Sequence, residues 1–138
     1  MVKTKNKKRN YTYAVGRRRE AVARVRLFKG DKEHLVNNLP IGKYFEGAVF
    51  KEAWTKPFAL TNTVGKYFIT VRVVGGGKKG QLTATVLGTA RAFTKLNTEK
   101  FRPPLKKAGL LTRDARAKQR RMVGTGGKAR RQKQSPKR

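Results

Sequence analysis

The hexapeptide Gly75-Gly76-Gly77-Lys78-Lys79-Gly80 is the stretch whose residue types most readily suggest chemistry. It fits a G-x-G-x-x-G pattern, which in dinucleotide-binding folds lets the backbone approach a pyrophosphate. That fingerprint also needs a second strand about 20 residues on, ending in an acid. Glu99 has the spacing, but Lys95-Leu96-Asn97-Thr98 is no apolar strand. The stretch reads instead as a glycine-rich loop whose amides, with Lys78 and Lys79 beside them, suit a phosphate. Neither Gly77-Lys78 nor Gly127-Lys128 opens a nucleoside-triphosphate loop, because Lys79 and Ala129 stand where Ser or Thr is required.

Arg17-Arg18-Arg19 carries a second chemical suggestion, a phosphate clamp, with Arg24, Arg26 and Arg72 on outward strand positions to support it. Guanidinium groups bind phosphate in a fork and stack on bases, which ammonium groups do not. A solvated basic turn is the plainer alternative. His34 is the single histidine, so no imidazole cluster exists, and it fits a surface or strand-edge position. The seven carboxylates are scattered, and Asp31 with Glu33 suits a turn and a strand start. The chain has no Cys, which removes disulfides and thiolate metal sites. Nucleophilic or metal catalysis finds no support, so no enzyme activity, cofactor, metal or small-molecule substrate is expected.

Elements must position these groups. Ala21–Phe28 alternates Ala21, Ala23, Val25 and Leu27 against Val22, Arg24, Arg26 and Phe28, the pattern of a half-buried strand. Tyr11–Val15 is its expected partner, with Gly16–Glu20 as a basic connection. Lys29–Lys32 is a turn, and Glu33–Val36 a short strand. Tyr67–Val74 is the clearest strand, with Tyr67, Ile69, Val71 and Val73 on one face. Ala48–Leu60 has helical character that Pro57 should kink or end. Gln81–Leu96 places Leu82, Val86, Ala90 and Phe93 at helical spacing, although its threonines are weak helix formers. A short helix is expected at Leu105–Ala108, after Pro103-Pro104. Trp54, Phe58 and Tyr67 are assigned to the core. The fold expectation is α+β, one small sheet with helices on one face.

The charge is distributed unevenly. The 138 residues carry 36 Lys or Arg, 7 Asp or Glu and a formal net charge of +29. Residues 1–10 hold five bases and no acid, whereas Asp114 is the single acid after Glu99. This predicts a basic arm at 1–10, a globular domain at 11–112 and a basic tail at 113–138. At such charge the chain belongs against a polyanion, and nucleic acid is favoured because each neutralised phosphate releases counterions. An anionic membrane is disfavoured: no basic segment has a strong apolar face, and no apolar run reaches spanning length. The basic N-terminus has no apolar stretch after it and is not a secretory signal.

Longer stretches carry a family resemblance. Tyr13-Ala14-Val15-Gly16-Arg17-Arg18-Arg19-Glu20-Ala21-Val22-Ala23-Arg24-Val25 resembles the opening signature of the small-subunit ribosomal protein nine family, bacterial or organellar type. Tyr44-Phe45, Lys56–Thr63, Val71–Gly77, Gly80-Gln81, Leu87–Ala92 and Lys106–Arg116 agree in order, as do Lys128–Arg131 and the final Lys137-Arg138. The resemblance implies an S5 domain 2-like fold with a left-handed βαβ crossover, and a place in bacterial cytoplasmic or plastid ribosomes. It implies a globular body on small-subunit rRNA in the subunit head, beside other head proteins. The extended tail would run through rRNA toward peptidyl-site tRNA. The basic residues themselves supply the expected rRNA contacts: Arg17, Arg18, Arg19, Arg24, Arg26, Arg72, Lys78 and Lys79 in the body, and Arg113, Arg116, Arg120, Arg121, Lys128, Arg130 and Arg131 in the tail. By matching position, the tRNA contact falls to Lys137 and Arg138. Pro136 departs from the family, which often has Ser there. So do the threonine-rich helix and Asn37-Asn38, where a glycine turn is common. A free nucleic-acid chaperone would share the charge, and a protein cofactor of an RNA-processing ribozyme would share basicity and fold type.

Overall fold

The computed structural model describes residues 10–130. Strands β1 (Tyr11–Arg18) and β2 (Ala21–Lys29) form an antiparallel hairpin. Then come β3 (Leu35–Val36), β4 (Leu39–Pro40), helix α1 (Ile41–Tyr44) and helix α2 (Ala48–Leu60). Strand β5 (Tyr67–Val74), helix α3 (Lys78–Leu96) and helix α4 (Thr98–Lys107) complete the order. The sheet runs β1-β2-β5-β3-β4. β2 and β5 are antiparallel, whereas β3 lies parallel to β5, so the chain through α1 and α2 is a crossover. The architecture is the expected α+β.

The alternation in β2 and β5 decides which face is covered. Ala21, Ala23, Val25, Leu27, Ile69, Val71 and Val73 are all buried and meet α3, the central helix. Phe58 of α2 and Phe101 of α4 close on Phe93 of α3 with edge-on rings at 5.3 and 5.4 Å. Trp54 and Tyr67 are half-buried against this core, as assigned. The closest approach lies where β1 passes α3. A Cβ on Gly16 would fall on the Ala84 carbonyl oxygen, and one on Gly88 would lie 2.6 Å from Val25.

The threonines of α3 are accommodated rather than tolerated at a loss. Thr85, Thr89 and Thr94 each donate to the carbonyl four residues back, at 2.8, 2.8 and 3.0 Å. Their hydroxyls are thereby satisfied inside the helix, and burial of their methyl groups offsets the poor intrinsic propensity.

Several boundaries differ from the sequence expectation. Gly16, Arg17 and Arg18 continue β1, and the connection shrinks to Arg19-Glu20, with Arg19 in the left-handed region (φ 51°). Cross-strand pairing extended further than the basic composition suggested, because Gly16 packs under α3. The strand expected from Glu33 begins only at Leu35, and Asn37 and Asn38 (φ 49° and 66°) turn the chain into β4. Both asparagines tolerate positive φ, so no glycine is needed. Pro57 does not end α2, which runs three residues further; its ring is buried, and Thr61 closes the last turn by donating to the Pro57 carbonyl at 2.8 Å. Helix α4 begins at Thr98, ahead of both prolines, because the Asn97 side chain caps it by accepting from the Lys100 amide at 3.1 Å. Residues 113–130 hold turns but neither helix nor strand.

Candidate nucleic-acid interface

Among the described residues, no helix lies on the sheet face opposite α3. Register fixes its composition: Val15, Arg24 and Arg72 form one cross-strand row, Tyr13, Arg26 and Thr70 the next, and Tyr11, Phe28 and Phe68 the third. Arg24, Arg26 and Arg72 are exposed there, on the outward positions expected for them. Together with Tyr11, Tyr13, Asn37 and Asn38 they line an open groove of about 740 Å³. None of its lining residues is acidic. Arg24 and Arg72 are direct register partners, and like charges so placed destabilise a sheet unless an anion sits between them.

The three consecutive arginines diverge instead of converging. Strand alternation sends Arg17 to the open face opposite Val22 and Arg18 to the covered face opposite Ala21, while exposed Arg19 forms the turn. Arg18 is largely buried: one guanidinium nitrogen lies 3.3 Å from Asp114 and another donates to the Arg116 carbonyl. The acid's strongest partner is Arg116, whose guanidinium and backbone amide both donate to it, at 2.8 and 3.0 Å. Those hydrogen bonds, with the charge of Arg18 added, hold the Asp114 carboxyl far below the usual carboxylate range. Arg18 thus fastens residues 114–116 to the body.

In the glycine loop, Gly75 and Gly76 take positive φ (78° and 64°), and a Cβ on Gly75 would lie 2.6 Å from the Glu20 carbonyl oxygen. The loop is shaped to pass the β1–β2 turn. Gln81 donates to the Gly75 carbonyl at 3.0 Å. Lys78 and Lys79 sit in the first turn of α3, not in the loop. The Lys78 ammonium lies 3.4 Å from the Tyr44 ring centre and donates to the Tyr44 carbonyl at 3.2 Å; Lys78 and Lys79 are both exposed. After α3 the chain enters α4, not the strand a dinucleotide site requires.

His34 packs against Phe58 and Trp54, with ring centres at 4.8 and 5.3 Å, and its Nδ1 accepts from the Ile69 amide at 3.2 Å. Burial lowers its pKa, partly opposed by Asp31. It extends the β3–β5 seam, a structural task. Two further cations, outside the expected phosphate-binding set, have a place in the fold. Arg91 and Lys95, one turn apart on α3, donate to the Val15 and Tyr13 carbonyls at 2.9 and 3.3 Å. They cover the free edge of β1, where unpaired carbonyls would otherwise invite another strand. Their i, i+4 spacing was the available signal. The sequence pattern likewise marks Tyr11 and Tyr13 only as strand formers, although their spacing of two puts both on one face.

Arg113, Arg116, Arg120, Arg121, Lys128 and Arg130 are all exposed. Arg131, Lys137 and Arg138 lie outside the described residues, as do residues 1–9 of the basic arm.

Comparison with known proteins narrows what this surface belongs to. The family model described as ribosomal protein S9/S16 matches residues 16–138. The small ribosomal subunit protein uS9 of Cutibacterium acnes is 45% identical over 111 residues, covering 80% of this chain and 64% of that protein. The protein of the same name from Leifsonia xyli subsp. xyli is 45% identical over 111 residues, covering 80% of this chain and 66% of its own length. The chain therefore spans about two thirds of the length of the curated relatives it matches. With the motif at Tyr13–Val25 in β1 and β2, and a match that runs from Gly16 to the last residue, the chain belongs to the ribosomal protein S9/S16 family.

Proposed function

We propose that this chain is a non-enzymatic structural constituent of the small ribosomal subunit that binds its rRNA in the subunit head. The observation that carries the reading is the acid-free groove where Arg24 and Arg72 oppose each other across β2 and β5. A phosphate between them turns a repulsive pair into two charge-assisted contacts. The mechanism is charge neutralisation joined to recognition of RNA shape.

The finer parts follow the family resemblance. The chain acts as a basic arm at 1–10, a globular domain at 11–112 and an extended tail at 113–138. The β3–α2–β5 crossover is left-handed. Arg17, Arg18, Arg19, Arg24, Arg26, Arg72, Lys78 and Lys79 contact rRNA from the body, Arg18 while also paired with Asp114 and Lys78 while also resting on Tyr44. Arg113, Arg116, Arg120, Arg121, Lys128, Arg130 and Arg131 follow rRNA phosphates along the tail. Lys137 and Arg138 reach peptidyl-site tRNA, and neighbouring head proteins complete the surroundings. The place of action is the ribosome.

One experiment tests both levels. Small subunits carrying either the full chain or a chain lacking Lys137 and Arg138 are washed in high salt and sedimented, and bound tRNA is measured. About one copy per subunit should survive the wash for both chains. A merely adsorbed basic protein should be stripped, since six to ten phosphate contacts lose roughly 10³–10⁵ in affinity between 50 and 200 mM salt. The truncated chain should weaken peptidyl-site tRNA binding. Loss of the full chain in the wash would overturn the ribosomal reading. Equal tRNA affinity would overturn the tail-tip contact alone.

A further inference from the structure

We propose that the open face of the sheet receives unpaired RNA bases, with Tyr13 as the stacking surface beside Arg24 and Arg72. The inference rests on the RNA-binding reading and adds which part of the RNA this face takes.

The aromatic residues are partitioned by the fold. Phe45, Phe58, Phe93 and Phe101 are buried, and Tyr44, Phe50, Trp54 and Tyr67 pack against them. Four rings remain on the open face: Tyr11, Tyr13, Phe28 and Phe68. Three of these satisfy one another. Phe28 and Phe68 stack at 5.1 Å with 10° between planes, and Tyr11 meets Phe28 at 5.4 Å while carrying the Arg26 guanidinium 5.4 Å from its ring. Tyr13 has no ring or cation partner among the described residues, yet it is half-exposed and lines the groove. It sits directly across from Arg26 and one row from the Arg24–Arg72 pair.

A ring unpaired on an uncovered sheet face, flanked by guanidinium groups, is the arrangement on which nucleobases stack while their phosphates are neutralised. A protein partner would have to place an acidic side chain into an arginine row and an apolar group on Tyr13. An RNA strand supplies both the anion and the flat apolar ring in each nucleotide. An RNA duplex supplies only the anion, because its bases are already stacked. The basic segments cannot share the task, since no aromatic residue occurs before Tyr11 or after Phe101.

The test measures binding of the full chain, at one fixed ionic strength, to a short single-stranded RNA and to the same strand with abasic sites. The parent should prefer the base-bearing strand by about tenfold, the scale of one stacked base. Tyr13→Leu should bring the two affinities to near parity with an unchanged salt slope, and Tyr13→Phe should keep the preference. Thermal melts establish that both variants fold. Arg24→Gln with Arg72→Gln should weaken both strands alike and lower the salt slope by about two, one for each phosphate contact. A parent without preference, or Tyr13→Leu with the preference intact, would overturn the proposal and leave the RNA-binding reading standing. Failure of the parent to bind either strand would sink both. Indifference to the bases, with Tyr13 shielded by another polypeptide when small subunits are footprinted, would make this face a protein interface and overturn the proposal.

Discussion

His34 shows how a residue expected at the surface or a strand edge can serve the fold. Its ring lies against Phe58, and its Nδ1 accepts a backbone hydrogen bond that protonation would abolish. Burial pulls its pKa below the ordinary 6.5. The unfolded chain therefore takes up a proton more readily than the folded one, so stability is complete above pH 6.5 and drains away as pH falls below it. Since His34 is the one histidine in the chain, its titration is isolated from other side chains in this range. Urea midpoints measured from pH 7.5 to 5 should fall in the parent and stay nearly level in His34→Gln, which starts from a lower plateau. A level parent profile would mean that the imidazole is solvated in both states.

At the scale of elements, the decisive contact is that of β1 with α3. Gly16 and Gly88 let a strand and a helix meet at backbone distance, and this brings Arg91 and Lys95 within reach of the edge carbonyls. Gly16→Ala places a methyl group against backbone that cannot rotate away, so the upper range of overpacking, roughly 3 kcal/mol, is the expected loss. Gly77→Ala, where a Cβ meets nothing within 4 Å, should cost far less. Denaturant unfolding of the two variants checks the contrast, and equal losses would show that β1 and α3 can separate at small cost. Gly16 stood in the sequence as one letter of a motif, with nothing in it to say which backbone it would touch.

For the whole molecule, the issue is how a body and a strongly basic C-terminal stretch share one chain of net charge +29. Asp114 joins them, the single acid after Glu99, held between Arg116 and Arg18. Its carboxyl stays ionised far into acid, so the junction is not a pH switch in the physiological range. Asp114→Asn should free the stretch that follows, with tryptic cleavage after Arg113 rising several-fold in the free protein, while Glu46→Gln leaves the rate unchanged. Unaltered cleavage in Asp114→Asn would mean that the Arg18 contact to the Arg116 carbonyl suffices by itself.

Periodicity alone determined the strands β2 and β5, their buried and open faces, and the helical character of α2 and α3, while charge supplied the expectation of a polyanionic partner. These follow from local rules, because alternation by two or by 3.6 is written in the order of residues. Tertiary structure alone decided that Arg17 and Arg18 part to opposite faces, that Lys78 turns to Tyr44, and that Tyr13, beside Arg24 and Arg72, has no ring partner among the described residues. Each depends on a neighbour distant in sequence, and adjacency along the chain carries no information about which strands pair or which ring a cation meets.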